Sequence, residues 1–220
     1  MARSSRTFAV IGLGAFGTTV AQELARSGSH VMGIDLDEQR VTRVASSLSS
    51  TAILDTTDEN ALRDVGIGQF DVALVAIGRD IQASILTTMN LRMLGVETIW
   101  VKASNKTHHR ILSKLGADRV ILPEQEVGRH VAQMLRNAAL QDYVSLGNGF
   151  SVVNIVAPEH LDGKGLEALE LGEKYDLQLL GVMRGSEFRR GNEPDLELAT
   201  DDRLILLGKR AELQRFGDAL

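Results

Sequence analysis

The chain repeats one alternation: a short, almost wholly apolar run, then a stretch with apolar residues at helical spacing, then another apolar run. Residues 8–11 open it as a strand, 15–27 follow as a helix ended by Gly28, and 30–34 form the second strand. Helical spacing resumes over 37–48, a β-branched strand is expected at 51–54, and Asp58 stands where an N-cap would start a helix reaching Asp64. The run 70–77, FDVALVAI, is nearly all apolar, as a parallel strand buried on both faces requires. A helix over 80–94, a strand over 98–101, a helix over 106–115 and a strand over 119–122 complete the series. Strands alternating with helices in this way predict an α/β fold: a Rossmann-like, doubly wound parallel sheet whose ligand crevice lies at the carboxyl ends of strands one, two and four.

Beyond Pro123 the rhythm changes. Residues 124–140 carry a helical stripe (Val127, Val131, Met134, Leu135, Ala138), and no strand of the alternating series follows. Gly147-Asn148-Gly149 marks a break, after which the pattern predicts a strand at 150–156, a short helix at 166–171, strands at 178–183 and 203–207, and a terminal helix at 211–216. That order suits a small α+β domain. The expected division is therefore 1–140 for the Rossmann domain with its exiting helix and 141–220 for the C-terminal domain. The helix over 80–94 is expected to turn Ile81, Ile85, Leu86, Met89 and Leu94 to the core, and the stripe of 124–140 to cover a partner subunit.

Composition narrows the functional classes. With 44% hydrophobic residues the chain has enough apolar side chains for ordinary cores, and a net charge of −5 offers no basic footprint for nucleic acid. The absence of cysteine removes disulfides, thiol catalysis and thiolate metal sites, and points to the cytoplasm. Arg3 and Arg6 before an apolar run imitate a signal peptide, but the glycines interrupt that run and no cleavage-site pattern follows. No run approaches the roughly 20 apolar residues of a membrane-spanning helix.

The chemistry concentrates in residues 8–17, FAVIGLGAFG. A strand that passes within three residues into a helix needs Gly12 for the tight turn and Gly14 so that the backbone can approach a pyrophosphate. Gly17 lets helix and strand pack closely, and the N-terminus of the helix, at Ala15 and Phe16, offers unpaired N–H groups to phosphate. Asp35, at the end of the second strand, stands where an acid meets ribose hydroxyls and disfavours a 2′-phosphate. The five histidines show no metal-ligand spacing: His108 and His109 are neighbours in a helix, and the others are isolated, so surface or interface positions are expected. A tyrosine with a lysine four residues on, as in short-chain dehydrogenases, is missing at both Tyr143 and Tyr175.

Over nearly its whole length the chain resembles the cytosolic regulatory subunits of the bacterial Ktr and Trk potassium-uptake systems, built from N- and C-terminal RCK (or KTN) domains. The segments that carry the resemblance are FAVIGLGAFG, Asp35, VAIGRDIQASILTT (75–88), IWVKASN (99–105), LSKLGADRVILPEQEVG (112–128), LDGKGL (161–166) and DDRLILLG (201–208). The resemblance implies a non-enzymatic subunit that forms dimers and an octameric ring beneath a membrane potassium-transporting subunit, peripheral to the inner face of the cell membrane. It implies ATP or ADP in the N-terminal domain, ATP favouring the active ring, and cyclic di-AMP as a ligand of the C-terminal domain in several relatives. The glycines would then hold phosphate and Asp35 the ribose; Asp55 and Thr56 would border the adenine, Ile77 and Gly78 would floor the pocket, and Lys102 would stand near the phosphates. Glu124 matches a glutamate associated with a divalent cation, Mg²⁺ or Ca²⁺; alternatively it is an acidic residue favourable to a helix dipole.

One departure stands out. Many Ktr subunits carry arginine after the second glycine, reaching the terminal phosphates, and this chain has Ala15. A missing guanidinium removes a donor worth about 1.5–3 kcal/mol to a charged phosphate, which bears on ATP against ADP and leaves NAD open for the same slot. The alternatives to a nucleotide-gated regulator are an NAD-dependent oxidoreductase and an adaptor with a vestigial pocket.

Overall fold

The computed structural model describes residues 6–136, 140–193 and 196–220. They form two compact units, residues 1–123 and 124–220, so the helix that follows Pro123, placed from the sequence with the first domain, clusters with the second.

The first unit is a parallel sheet in the order β3-β2-β1-β4-β5-β6. Its elements are β1 (Thr7–Ile11), α1 (Ala15–Arg26), β2 (His30–Asp35), α2 (Glu38–Val44), β3 (Ser50–Ile53), α3 (Glu59–Asp64), β4 (Val72–Val75), α4 (Ile81–Met93), β5 (Thr98–Lys102), α5 (Lys106–Lys114) and β6 (Arg119–Ile121). Strands β1, β2 and β4 are clothed on both faces, whereas β5 leaves Trp100 exposed on one of its faces. Val10, Val31 and Leu74 pack with Ala21, Val41 and Val44 of α1 and α2, while Ala9, Ile11, Ile34, Val75 and Ile99 pack with Leu62, Leu91 and Leu112 on the other side. Burial from both sides explains why these strands read as unbroken apolar runs.

Local chemistry sets the boundaries. Asp37, Asp58, Asp80 and Asn105 each accept a backbone N–H of the first turn that follows, capping α2, α3, α4 and α5. The fourth strand is shorter than the apolar run suggests. Asp71 is drawn out of it to accept the N–H and hydroxyl of Thr7, at 2.7 and 3.0 Å, and the chain leaves the strand after Val75.

Helix α4 departs from expectation. Its buried positions are Ser84, Thr87, Thr88, Asn90 and Leu91, whereas Ile81, Met89 and Met93 are exposed. Of the residues expected in the core, Ile85 and Leu94 pack there, partly buried. Short polar side chains line the inner face: Thr88 donates to the Ser84 carbonyl at 2.7 Å, the Ser84 hydroxyl is buried without a partner among the described residues, and Thr87 and Asn90 bond to Thr56 and Thr57.

The second unit begins with α6 (Pro123–Arg136), followed by β7 (Leu140–Gly147), β8 (Phe150–Val156), α7 (Leu171–Tyr175), β9 (Gln178–Arg184), β10 (Glu187–Arg190), β11 (Arg203–Lys209) and α8 (Arg210–Gly217). Its sheet is antiparallel in the order β10-β9-β11-β8-β7. One face packs Val153, Ile155, Val182, Leu204 and Leu206 against Leu213 and Phe216 of α8 and against Tyr175, whose ring meets Phe216 edge-on at 5.2 Å.

Two strands escaped the sequence pattern. The helical stripe expected to reach residue 140 stops by Arg136, residues 137–139 lie outside the described residues, and Leu140 already belongs to β7. The break at 147–149 is a hairpin turn: Gly147 pairs with Phe150, and Asn148 and Gly149 have φ of 51° and 80°, the left-handed pair that a two-residue hairpin loop demands. The other missed strand is β10, a short charged edge strand turned back from β9 at Gly185.

Candidate functional site

In a parallel sheet all carboxyl ends share one edge, and the direction of winding reverses here between β1 and β4. To that edge the fold brings Gly12, Gly14, Ala15, Phe16 and Gly17 after β1, Asp35 at the end of β2, Asp55 and Thr56 after β3, Ile77 and Gly78 after β4, and Lys102 at the end of β5.

Three glycines in the first loop do three different things. Gly12 has φ +92°, and a Cβ there would lie 3.0 Å from the Ala76 backbone, so it gives both the turn and the close passage between strands. At Gly17 any Cβ would collide with the Gly12 carbonyl oxygen, which is what lets α1 start against β1. Gly14, the N-cap of α1, has φ −69° and nothing within 4 Å of where a Cβ would be: its bareness faces open space. No side chain caps α1, so its first-turn N–H groups and the positive end of its dipole are available to an anion. Ala15 is exposed at the first helical position.

Asp35 is buried and joins the loops around it. One carboxylate oxygen accepts the Leu13 N–H at 2.7 Å, and the other accepts the Asp37 N–H at 2.9 Å. Arg40 completes the group, its guanidinium 3.4 Å from Asp35 and 3.3 Å from Asp37. A carboxylate has about four lone-pair sites, so Asp35 retains room for a hydroxyl while holding the glycine loop in place.

Asp55 is exposed, and its carboxylate accepts both the N–H and the hydroxyl of Thr57, at 2.9 and 2.7 Å; these bonds hold it below the usual carboxylate range. Thr56 is oriented otherwise. Its hydroxyl is buried against that of Thr87 at 2.7 Å, so what Thr56 offers a ligand is main chain. Lys102 reaches over the β4–α4 turn: its ammonium lies 3.4 Å from where a Gly78 Cβ would stand and 5.6 Å from the centre of the Phe16 ring. A side chain at residue 78 would crowd that ammonium, and Phe16 supplies a cation–π contact at its flank. Ile77 and Gly78 are half-buried beside it.

Glu124 belongs to the second unit and is exposed in the first turn of α6. Among the described residues no three His, Cys, Asp or Glu side chains gather as one group. His108 corrects the expectation of surface histidines: it is buried at the start of α5, its Nδ1 3.3 Å from the Ser104 N–H, and burial pushes its pKa down. Sequence reasoning missed Arg40, Thr87 and Asn90. Arg40 was foreshadowed by the N-cap at Asp37 three residues before it; the helix residues were hidden because polar side chains at helical spacing read as an outer face.

The fold and this edge define a Rossmann-type module followed by a small antiparallel domain, and that combination has a family. Residues 8–123 match the TrkA-N domain and residues 150–220 the TrkA-C domain; the chain belongs to the family that joins the two. It is 37% identical over 212 residues to the Ktr system potassium uptake protein A of Bacillus subtilis, covering 96% of each chain. To the Ktr system potassium uptake protein C of the same organism it is 39% identical over 211 residues, again covering 96% of each. In fold it is similar to the GsuK channel bound to NAD, with a TM-score of 0.64 and 13% identity, over 97% of this chain and 39% of that one. The chain thus spans less than half of that channel's length.

Proposed function

We propose that the chain is the regulatory subunit of a potassium-uptake system, binding an adenine nucleotide at the edge of its parallel sheet and passing the bound state on to a membrane potassium-transporting subunit. The observation that carries this reading is the open face of Gly14 at an uncapped helix N-terminus, flanked by Asp35 and Lys102, in a chain related end to end to Ktr uptake proteins. ATP or ADP would lay its phosphates on the first turn of α1, with its ribose toward Asp35 and its base toward Asp55 and the Thr56 main chain. Ile77 and Gly78 would floor the pocket. Lys102 is then the cation at the phosphate end, where Ala15 contributes none.

Regulation follows from differential binding. ATP and ADP shift an assembly only as far as they bind its two shapes unequally, so the contact made by the third phosphate decides the response. A dimer and an octameric ring are the assemblies that the resemblance implies, with a peripheral place at the inner face of the membrane. No described helix is long and apolar enough to cross a membrane. Cyclic di-AMP is the expected ligand of the antiparallel unit. A divalent cation at Glu124 would need further ligands from phosphate, water or a second subunit.

Calorimetry of the purified protein with ATP, ADP, NADH and cyclic di-AMP tests the reading. Adenylates should bind and NADH should bind more weakly, with no turnover. Asp35→Ala should weaken adenylate binding at least tenfold, since it removes a ribose acceptor and frees the glycine loop. Protein that ignores adenylates at millimolar concentration, or an Asp35→Ala variant with undiminished affinity, would overturn it.

A further inference from the structure

A helix flanking a parallel sheet normally buries apolar side chains. Helix α4 buries polar ones, and two of them reach a loop that belongs to the ligand edge. The Thr87 hydroxyl lies 2.7 Å from that of Thr56, and the Asn90 amide nitrogen donates to the carbonyls of Thr56 and Thr57 at 3.2 and 3.0 Å. Both side chains are buried, Thr87 at 0% and Asn90 at 5% exposure, so these bonds form out of reach of competing water.

The loop they grip is the one between β3 and α3. Within it Asp55 accepts both the N–H and the hydroxyl of Thr57, and Asp58 donates its N–H to the Asp55 carbonyl at 3.2 Å. Asn90 therefore holds the carbonyl of the same residue whose N–H and hydroxyl orient the Asp55 carboxylate. The loop would otherwise be held by its own turn alone; here α4, packed on the same face of the sheet as α3, braces it from the buried side.

We propose that Thr87 and Asn90 are positioning residues for the ligand site, setting the β3–α3 loop from the buried side of α4 so that Asp55 stands in one place on the crevice rim. The inference rests on the nucleotide reading above and assigns rigidity, and with it discrimination between bases, to the end of the pocket away from the phosphates. The phosphate end depends on the glycine loop and Lys102, which neither residue touches.

The test uses the full chain and the variants Thr87→Val, Thr87→Ser and Asn90→Leu. In ligand-free protein, hydrogen exchange at the Thr57 and Asp58 amides should quicken about five- to tenfold in Thr87→Val and Asn90→Leu, while amides of β1 and β4 stay unchanged. By calorimetry, ADP affinity should fall about fivefold and the preference for ADP over IDP should shrink, with Thr87→Ser restoring both. Unchanged exchange at Thr57 and Asp58 overturns the proposal. So does faster exchange that leaves ADP affinity and the ADP-to-IDP ratio untouched, or a Thr87→Ser variant that behaves like Thr87→Val. Should the parent protein bind neither nucleotide, the nucleotide reading falls and takes with it the assignment to base discrimination; the exchange data would still decide whether the brace exists. The Thr87 pair keeps the test open if Asn90→Leu fails to fold.

Discussion

The two sheets of this chain solve burial differently. In the parallel sheet helices lie on both faces, α1 and α2 on one side and α3, α4 and α5 on the other, and the central strand β4 is apolar throughout. The antiparallel sheet is covered by helices on one face, its strands alternate, and Val144, Phe150 and Phe188 are exposed on the other. A sheet sealed on both sides has only its strand ends left to meet a ligand, and the chemistry-bearing residues of the first unit gather there. The antiparallel unit leaves one face of its sheet without helices instead.

Glycine use sharpens the contrast. Gly17 is required by backbone packing at the ligand edge, whereas Gly149 serves a hairpin turn. Gly17→Ala drives a methyl into the Gly12 carbonyl and should cost about 3 kcal/mol or more, read as the first unit melting well below the second. A variant that melts like the parent would mean that the glycine loop does not need that close approach. On the other side, Asn148→Val places a β-branched residue at φ 51° and should cost about 1–2 kcal/mol, confined to the second unit. No loss there would argue against the β7–β8 hairpin.

Acid separates the units further. Burial holds the pKa of His108 below its ordinary value of 6.5, so the folded first unit favours neutral imidazole. Stability from that source is complete above pH 6.5 and drains away as the pH falls through the lower folded value. In the second unit, burial works to raise the pKa of Asp202. Two Arg184 hydrogen bonds of 2.8 Å and the Ala199 N–H at 2.9 Å outweigh it and hold the group below 3.8. Its contribution therefore survives to more acid pH and is lost only as the pH falls below that value. Thermal scans from pH 7 to pH 3 should show the first unit weakening first. His108→Gln should flatten the early loss, and a simultaneous decline in both units would refute the assignment.

The smallest structural effect is expected at Gly14. With φ −69° and open space around it, Gly14→Ala should change stability by under about 0.5 kcal/mol. It should nevertheless weaken adenylate binding, because the methyl would occupy the ligand's approach to the first turn of α1. Unchanged affinity in a calorimetric titration would move the phosphates elsewhere.

Legibility in the sequence tracked the number of covered faces. Strands β1 and β4 were readable because burial from both sides demands apolar residues, β3 because it carries a β-branched residue, and α3 because Asp58 marks its start, while α2 and α5 showed only as helical spacing. The strands that went unread, β7 and β10, lie at the edges of a half-covered sheet, where charge and polarity are tolerated. Asn148-Gly149 carried a hairpin signal that was read only as a break. The tracing of α4 was right in extent and for Ile85 and Leu94 but wrong for Ile81 and Met89, since periodicity assigns the whole apolar stripe to the core and does not register that Thr87 and Asn90 have partners in the β3–α3 loop.

What the amino-acid order settled by itself was local: where the chain turns tightly at Gly12, that strands alternate with helices, and roughly where the strands covered on both faces run. Those are consequences of backbone sterics and of the period of burial, both of which act within a few residues. The tertiary structure alone decided that Asp35 would fasten the glycine loop through Leu13, that Lys102 would lie across Gly78, that Thr56 would face inward, and that α4 would bury its polar side. Each of these depends on a hydrogen bond or close contact between residues far apart in the chain, and a donor's acceptor is known only when the fold has brought the two together.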